Sequence, residues 1–222
     1  MPREEFQKQI KDALDSVLEM SSHVDRALDR AMQSLIERDV ALAQTVVDGD
    51  SVIDELNYET QDEVLKLLAQ QAPLATDLRV IVSVSSVMID LERMGDHAEG
   101  IARITITMQD EPLVKPLIDL PIMASKARDM LRNAVEAFVD ADPEKAYAVN
   151  AADDEVDAIY DRVYEELIGI MVADPQTILP STHLQWVSHN IERIADRATN
   201  IAERAVYSAT GVYPRDMNVS NY

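Results

Sequence analysis

Residues 90–104, DLERMGDHAEGIARI, recur at 190–204 as NIERIADRATNIAER, with Glu92/Glu192, Arg93/Arg193, Asp96/Asp196, Ala98/Ala198, Ile101/Ile201 and Ala102/Ala202 in register. A repeat of this length in a 222-residue chain means that one unit was used twice, which restricts the fold to two similar halves. What recurs is an apolar framework together with an acidic pair of the form E-x-x-x-D. Any chemistry in this chain is therefore sought first at that pair.

Composition favours helices over sheets. Glycine occurs only five times, aromatic residues make up 5%, and Ala, Leu, Met, Glu, Asp and Arg are abundant. Prolines punctuate the chain at 73, 112, 116, 121, 143, 175 and 180. Between them lie six amphipathic segments, near 3–37, 40–71, 76–109, 121–141, 143–172 and 181–209. The third carries a stripe of Val80, Val84, Val87, Leu91, Met94, Ala98 and Ile101. The sixth repeats it with Leu184, Val187, Ile191, Ile194, Ala198, Ile201 and Ala205. Spacings of three and four sustained over this many turns signal bundle packing. The expected fold is all-α, two tandem, duplicated three-helix antiparallel bundles over 1–110 and 117–210, with 211–222 a loose tail.

The second and fifth helices repeat as well. Asp39, Ala43, Val46, Asp50 and Asp54 align with Asp142, Ala146, Val149, Asp153 and Asp157. Each half thus carries a D-x-x-x-D pair and an E-x-x-x-D pair: Asp50, Asp54, Glu92 and Asp96 in the first, Asp153, Asp157, Glu192 and Asp196 in the second. Residues four apart on a helix project from one face. Each of these carboxylates follows a core or small position, so each falls beside the apolar stripe, at the edge where helices meet solvent. Gly49, Gly95, Ala152 and Ala195 are expected to let the backbones approach there.

Four convergent carboxylates need protons, water or cations. Their oxygens suit hard or intermediate cations: magnesium, calcium, manganese, iron or zinc. A single E-x-x-x-D is ordinarily a solvated face paired with a nearby arginine, and Arg93 and Arg193 are placed for that. Four copies in matching positions favour a metal site. Glu99 and Asn200 are candidate additional ligands, although Thr199 and Gly100 stand at their repeat positions. His97 is replaced by Arg197 in the repeat, and His23, His183 and His189 stand isolated, so the histidines read as structural. No anion-binding residue is assigned.

Several classes are set aside. The chain has no cysteine, hence no disulfide, thiolate nucleophile or zinc finger. It has no G-x-x-x-x-G-K-[ST], G-x-G-x-x-G or G-x-S-x-G, and reads as a non-enzyme. A net charge of −21 opposes nucleic-acid binding. No apolar run is long enough to span a bilayer, and MPREEFQKQ lacks the order of a signal peptide, so a cytoplasmic protein is expected. A carboxylate-bridged di-metal enzyme would use E-x-x-H, and no Glu here has a His three residues on. A metal-free helical scaffold is the remaining alternative.

With these segments, and with APLATDLR at 72–79 leading into the third helix, the chain resembles the PhoU family, the phosphate-specific transport system accessory proteins. The resemblance spans nearly the whole chain. It implies duplicated three-helix bundles with a multinuclear metal cluster in each repeat. Asp50, Asp54, Glu92 and Asp96 would serve one cluster, and Asp153, Asp157, Glu192 and Asp196 the other. It also implies a negative regulator of phosphate uptake and of the phosphate-starvation response, acting on the transporter's ATPase subunit and a membrane sensor histidine kinase. A homodimer is expected. Gly100 departs from the Asn often found at that place, which Asn200 retains.

Overall fold

The computed structural model describes residues 2–71, 73–214 and 217. Six long α-helices follow in order: α1 (Pro2–Glu37), α2 (Val40–Gln71), α3 (Ala75–Thr107), α4 (Asp119–Val139), α5 (Pro143–Ala173) and α6 (Ile178–Thr210). Among the described residues there is no strand, and a short 3-10 turn at Pro175–Thr177 leads into α6. Helices α1–α3 pack on one another, as do α4–α6, and α1 meets α4 while α3 meets α6. The two bundles therefore join through equivalent pairs of helices.

The packing follows from the apolar spacing. Val17, Met20, Val24, Leu28 and Ala31 line one side of α1 and are fully buried. The stripes of α3 and α6 lie in the same core, with Val84, Leu91, Ile101, Val187, Ile191 and Ile201 at 0% exposure. Burial of this kind stabilises by roughly 1.5–3 kcal/mol per large side chain.

The turns repeat as faithfully as the helices. Asp39 accepts from Leu42 N at 2.9 Å, and its counterpart Asp142 accepts from Glu144 N at 3.0 Å and Lys145 N at 3.1 Å. Each caps the free amides of a helix start, and Pro143 follows Asp142 in the first turn, where its missing N–H costs nothing. Immediately before the caps, Arg38 (φ 57°) and Ala141 (φ 54°) both adopt the left-handed conformation. Arg38 also ties the α3 terminus down: Nη2 donates to the carbonyls of Met108 at 3.2 Å, Gln109 at 2.8 Å and Glu111 at 2.6 Å.

Two expectations are corrected. Pro180 does not bound α6 but sits inside its first turn, as Pro121 does in α4. First-turn amides have no intrahelical acceptor, so a proline there is tolerated. The described part of the tail is also not loose. Gly211 closes α6 with φ 77°, the Tyr213 ring stacks on Tyr207 at 4.1 Å between centroids, Tyr213 Oη accepts from Arg204 at 2.6 Å, and Met217 is buried. The remainder of the tail lies outside the described residues.

Polar side chains join the two bundles. Arg128 on α4 grips Asp25 on α1 bidentately, at 2.8 and 3.0 Å, and also reaches Asp29. Asp25 and Arg128 are repeat counterparts, so the duplicated position has become a charge pair. Between α3 and α6, Arg197 Nη1 donates to Asp90 at 3.1 Å with the Asn200 amide at 3.5 Å. At the mirrored place Asn190 Oδ1 meets His97 Nδ1 at 2.9 Å, and a Cβ on Gly100 would come within 3.1 Å of that same Oδ1. Gly100 thus makes room for Asn190, a physical reason for the loss of Asn at that position.

Candidate metal centres

Helices α2 and α3 bring five carboxylates to one edge of the first bundle. Asp50, Asp54, Glu92, Asp96 and Glu99 are all partly buried. Burial pushes the Asp50 carboxyl up to about 6, and the fields of Glu99, Asp54, Asp96 and Glu92 add to it. Glu92 is raised by burial, then by Asp96 and Asp54, against the lowering effect of Arg93 and Arg197. The five groups share one electrostatic environment, and Glu99 belongs to it.

Gly95 makes this closeness possible. A Cβ there would lie 3.0 Å from Ile53 Cδ1 and 3.3 Å from Asp50 Oδ1, so α2 rests directly on the glycine. Gly49 does not share that role. A Cβ on it would meet nothing within 4 Å, so the expectation of close approach at Gly49 is corrected. Helical periodicity gives a direction around the axis, and Gly49 points into an open groove, not at α3.

In the second bundle α5 and α6 gather Asp153, Asp157 and Asp196. Burial pushes Asp153 up to about 7, with Asp157, Asp196 and Asp154 adding to the shift. Asp157 is raised by burial, then by Asp196, Asp161 and Asp154. Asp153 Oδ1 is buried with no hydrogen-bond partner among the described residues. Such an atom is costly unless a cation or proton satisfies it. Glu192 on α6 is buried, 4% exposed, with Oε2 at 3.5 Å from His189 Nδ1. His189 packs near Tyr160, with ring centroids 6.5 Å apart. His189 is therefore not isolated, contrary to expectation: the spacing H-x-x-E (189–192) puts it one helical turn from Glu192, at this rim. The Asn200 amide lies 3.5 Å from Asp90 Oδ1 on α3.

Arginines partly balance both clusters. Arg93 lies 3.4 Å from Glu92 and 3.1 Å from Asp96, Arg103 reaches Glu99 at 2.5 Å, and Arg193 reaches Asp196 at 2.8 Å. Among the described residues no three Asp, Glu or His side chains form a ready coordination sphere. The donor set is nevertheless of the right kind: clustered, partly buried carboxylate oxygens, with Asp50, Glu92, Asp153, Asp157 and Asp196 raised in pKa by burial and Asp153 Oδ1 buried without a hydrogen bond.

Tandem three-helix bundles, each with a carboxylate cluster at the edge between its second and third helices, define a class of duplicated all-helical protein. This chain belongs to the PhoU family: the PhoU domain model matches it twice, at residues 17–105 and 120–205. It is similar to the "Phosphate-specific transport system accessory protein PhoU homolog" of Rhizobium meliloti, 33% identical over 95% of this chain and 89% of that one. The Aquifex aeolicus protein of the same name is 35% identical over 92% of both chains. The crystal structure of PhoU from Pseudomonas aeruginosa superposes with a TM-score of 0.89 at 33% identity, over 93% of this chain and all of that one. The phosphate transport system regulatory protein PhoU from Streptococcus pneumoniae gives 0.88 at 29% identity, over 94% and 99%.

Proposed function

We propose that this chain is a metal-binding, non-enzymatic regulator of phosphate uptake, which damps the phosphate ABC transporter and the phosphate-starvation two-component response. Two carboxylate clusters at matching places on a duplicated framework are the observation that carries the metal assignment. The names of its relatives, accessory and regulatory proteins of phosphate transport, carry the rest. Asp50, Asp54, Glu92 and Asp96, with Glu99 beside them, would hold the first metal group; Asp153, Asp157, Glu192 and Asp196 would hold the second. Bound cations would supply positive charge to edges that are otherwise mutually repulsive. Loading them opens the Arg93 and Arg193 pairs, a matter of side-chain rotamers and not of the fold.

The regulator acts in the cytoplasm as a homodimer, through the transporter's ATPase subunit and a sensor histidine kinase. No helix among the described residues is long and apolar enough to cross a membrane. The net charge of −21 favours recognition that weakens with salt. A metal-free scaffold is the second reading, favoured by the arginine pairs that already engage Glu92, Asp96 and Asp196.

Deleting the gene in its host is expected to derepress phosphate-starvation genes in phosphate-replete medium. Purified protein is expected to capture the ATPase subunit and the kinase better at low salt than at high. Normal phosphate control after deletion, with neither partner captured, would defeat the regulator reading.

A further inference from the structure

A groove between α1 and α2, at the rim of the first carboxylate cluster, is left unused by the metal reading. It encloses about 90 Å³ and is lined by His23, Arg26 and Arg30 from α1 with Thr45, Gly49 and Asp50 from α2. Neither Arg26 nor Arg30 makes an ion pair or hydrogen bond among the described residues. The field of Arg26 reaches Asp25, but the Asp25 carboxylate is already gripped by Arg128. Both guanidinium groups are exposed at the groove, and in a chain with 41 acidic residues and 20 basic ones they stand four apart on one helix without a carboxylate partner.

The duplication supplies an internal comparison. The equivalent groove between α4 and α5 is lined by Lys126, Asp129, Asn133, Ala148 and Ala152, the repeat counterparts of His23, Arg26, Arg30, Thr45 and Gly49. Its cations are neutralised: Lys126 pairs with Glu155 and Lys145 with Glu136. One groove therefore presents two free arginines, and its copy presents Asp129 and Asn133 in their place. Shared ancestry explains the grooves; it does not explain the arginines.

We infer that the Arg26–Arg30 groove binds a small tetrahedral oxyanion of the phosphate class when a cation occupies the neighbouring carboxylate cluster. Guanidinium groups match the oxygens of such an anion with paired, charge-assisted hydrogen bonds. The open face of Gly49 leaves the floor of the groove free of a side chain. Asp50 shares the lining, and an ionised Asp50 alone would repel the anion; a cation on Asp50 reverses that sign and adds a third positive partner. Metal and anion then raise each other's affinity, as linkage requires. The inference rests on the metal reading above, and the test separates the two.

Protein with its metal content established by elemental analysis is titrated calorimetrically with inorganic phosphate, sulfate and glycerol 3-phosphate. Metal-loaded wild type is expected to bind phosphate, and metal-free protein to bind about tenfold more weakly or less. Arg26→Ala/Arg30→Ala is expected to keep its metal and its melting temperature and lose about tenfold or more in phosphate affinity. Tighter binding of the ester than of free phosphate supports the groove and assigns it to a phosphoryl group on a larger molecule. Phosphate binding unchanged in the double variant, or none in metal-loaded wild type, overturns the inference while the metal reading stands. Protein that takes up none of the candidate cations removes both.

Discussion

Chelation of the metal-loaded protein should lower its melting temperature by about 10–20 °C and leave its helix content nearly unchanged at room temperature. A cation that binds only the folded state stabilises it by about 2.7 kcal/mol at a hundredfold excess over Kd, so two sites give about 5 kcal/mol. For a chain of this size each kcal/mol moves the midpoint by about 2–4 °C. The helices survive because an apolar core holds them without any metal: Val17, Leu28, Leu91, Leu131 and Ile191 are fully buried. Circular dichroism at fixed pH, with chelator and then with cation restored, measures both quantities. Collapse of the helices on chelation would show that the clusters build the fold; an unmoved midpoint after proven metal removal would show that they contribute nothing to it.

The second large effect reverses sign with metal. In metal-free protein Asp50 ionises near 6 and Asp153 near 7, against 3.8 for an unperturbed carboxyl. Both hold a proton more tightly folded than unfolded. Their contribution to stability is therefore complete below about pH 4 and is lost as pH rises through 6 and 7. Above that range each ionised carboxylate costs about 1 kcal/mol once solvent screening at these half-exposed positions is allowed for. Asp50→Asn/Asp153→Asn removes the ionisation with little change of shape. At about pH 8 without metal the double variant should be more stable than wild type by about 2 kcal/mol, and near pH 4 the difference should vanish. With saturating cation the order should invert, because wild type gains binding energy and the variant does not. A variant less stable than wild type in both conditions would mean that these carboxylates are satisfied by protein groups alone.

The repeat made much of this legible before any coordinates. Asp142 and Pro143 mark a helix start by local chemistry, and the α3 and α6 stripes mark a core by period, so six helices in two sets could be read off the chain. The edge position of the carboxylates followed in the same way, since each sits one residue past a core or small position. What periodicity cannot state is which neighbour a face meets. Gly49 and Gly95 precede their acidic residues alike, yet only Gly95 lies under another helix. Asn200 and Glu99 are one residue apart in register, about 100° around the helix, so Asn200 meets Asp90 across the α3–α6 seam while Glu99 joins the first cluster. Which helix stands across that seam is decided by the contact between bundles, and no local signal in either repeat encodes it. Arg26 and Arg30 are exposed charges on α1 with no local signal of their own; only their repeat counterparts, Asp129 and Asn133, set them apart.

The central claim is that each repeat holds its own metal group, and elemental analysis of protein purified without chelator tests it most directly. Wild type is compared with Glu92→Ala/Asp96→Ala and with a variant in which Asp50, Asp54, Glu92, Asp96, Asp153, Asp157, Glu192 and Asp196 are all replaced, each checked by circular dichroism and native mass. Wild type is expected to hold more than one cation per chain, the double variant roughly half of that, and the full variant none. Metal undiminished after all eight carboxylates are gone would contradict it, as would wild type that holds none of the candidate cations.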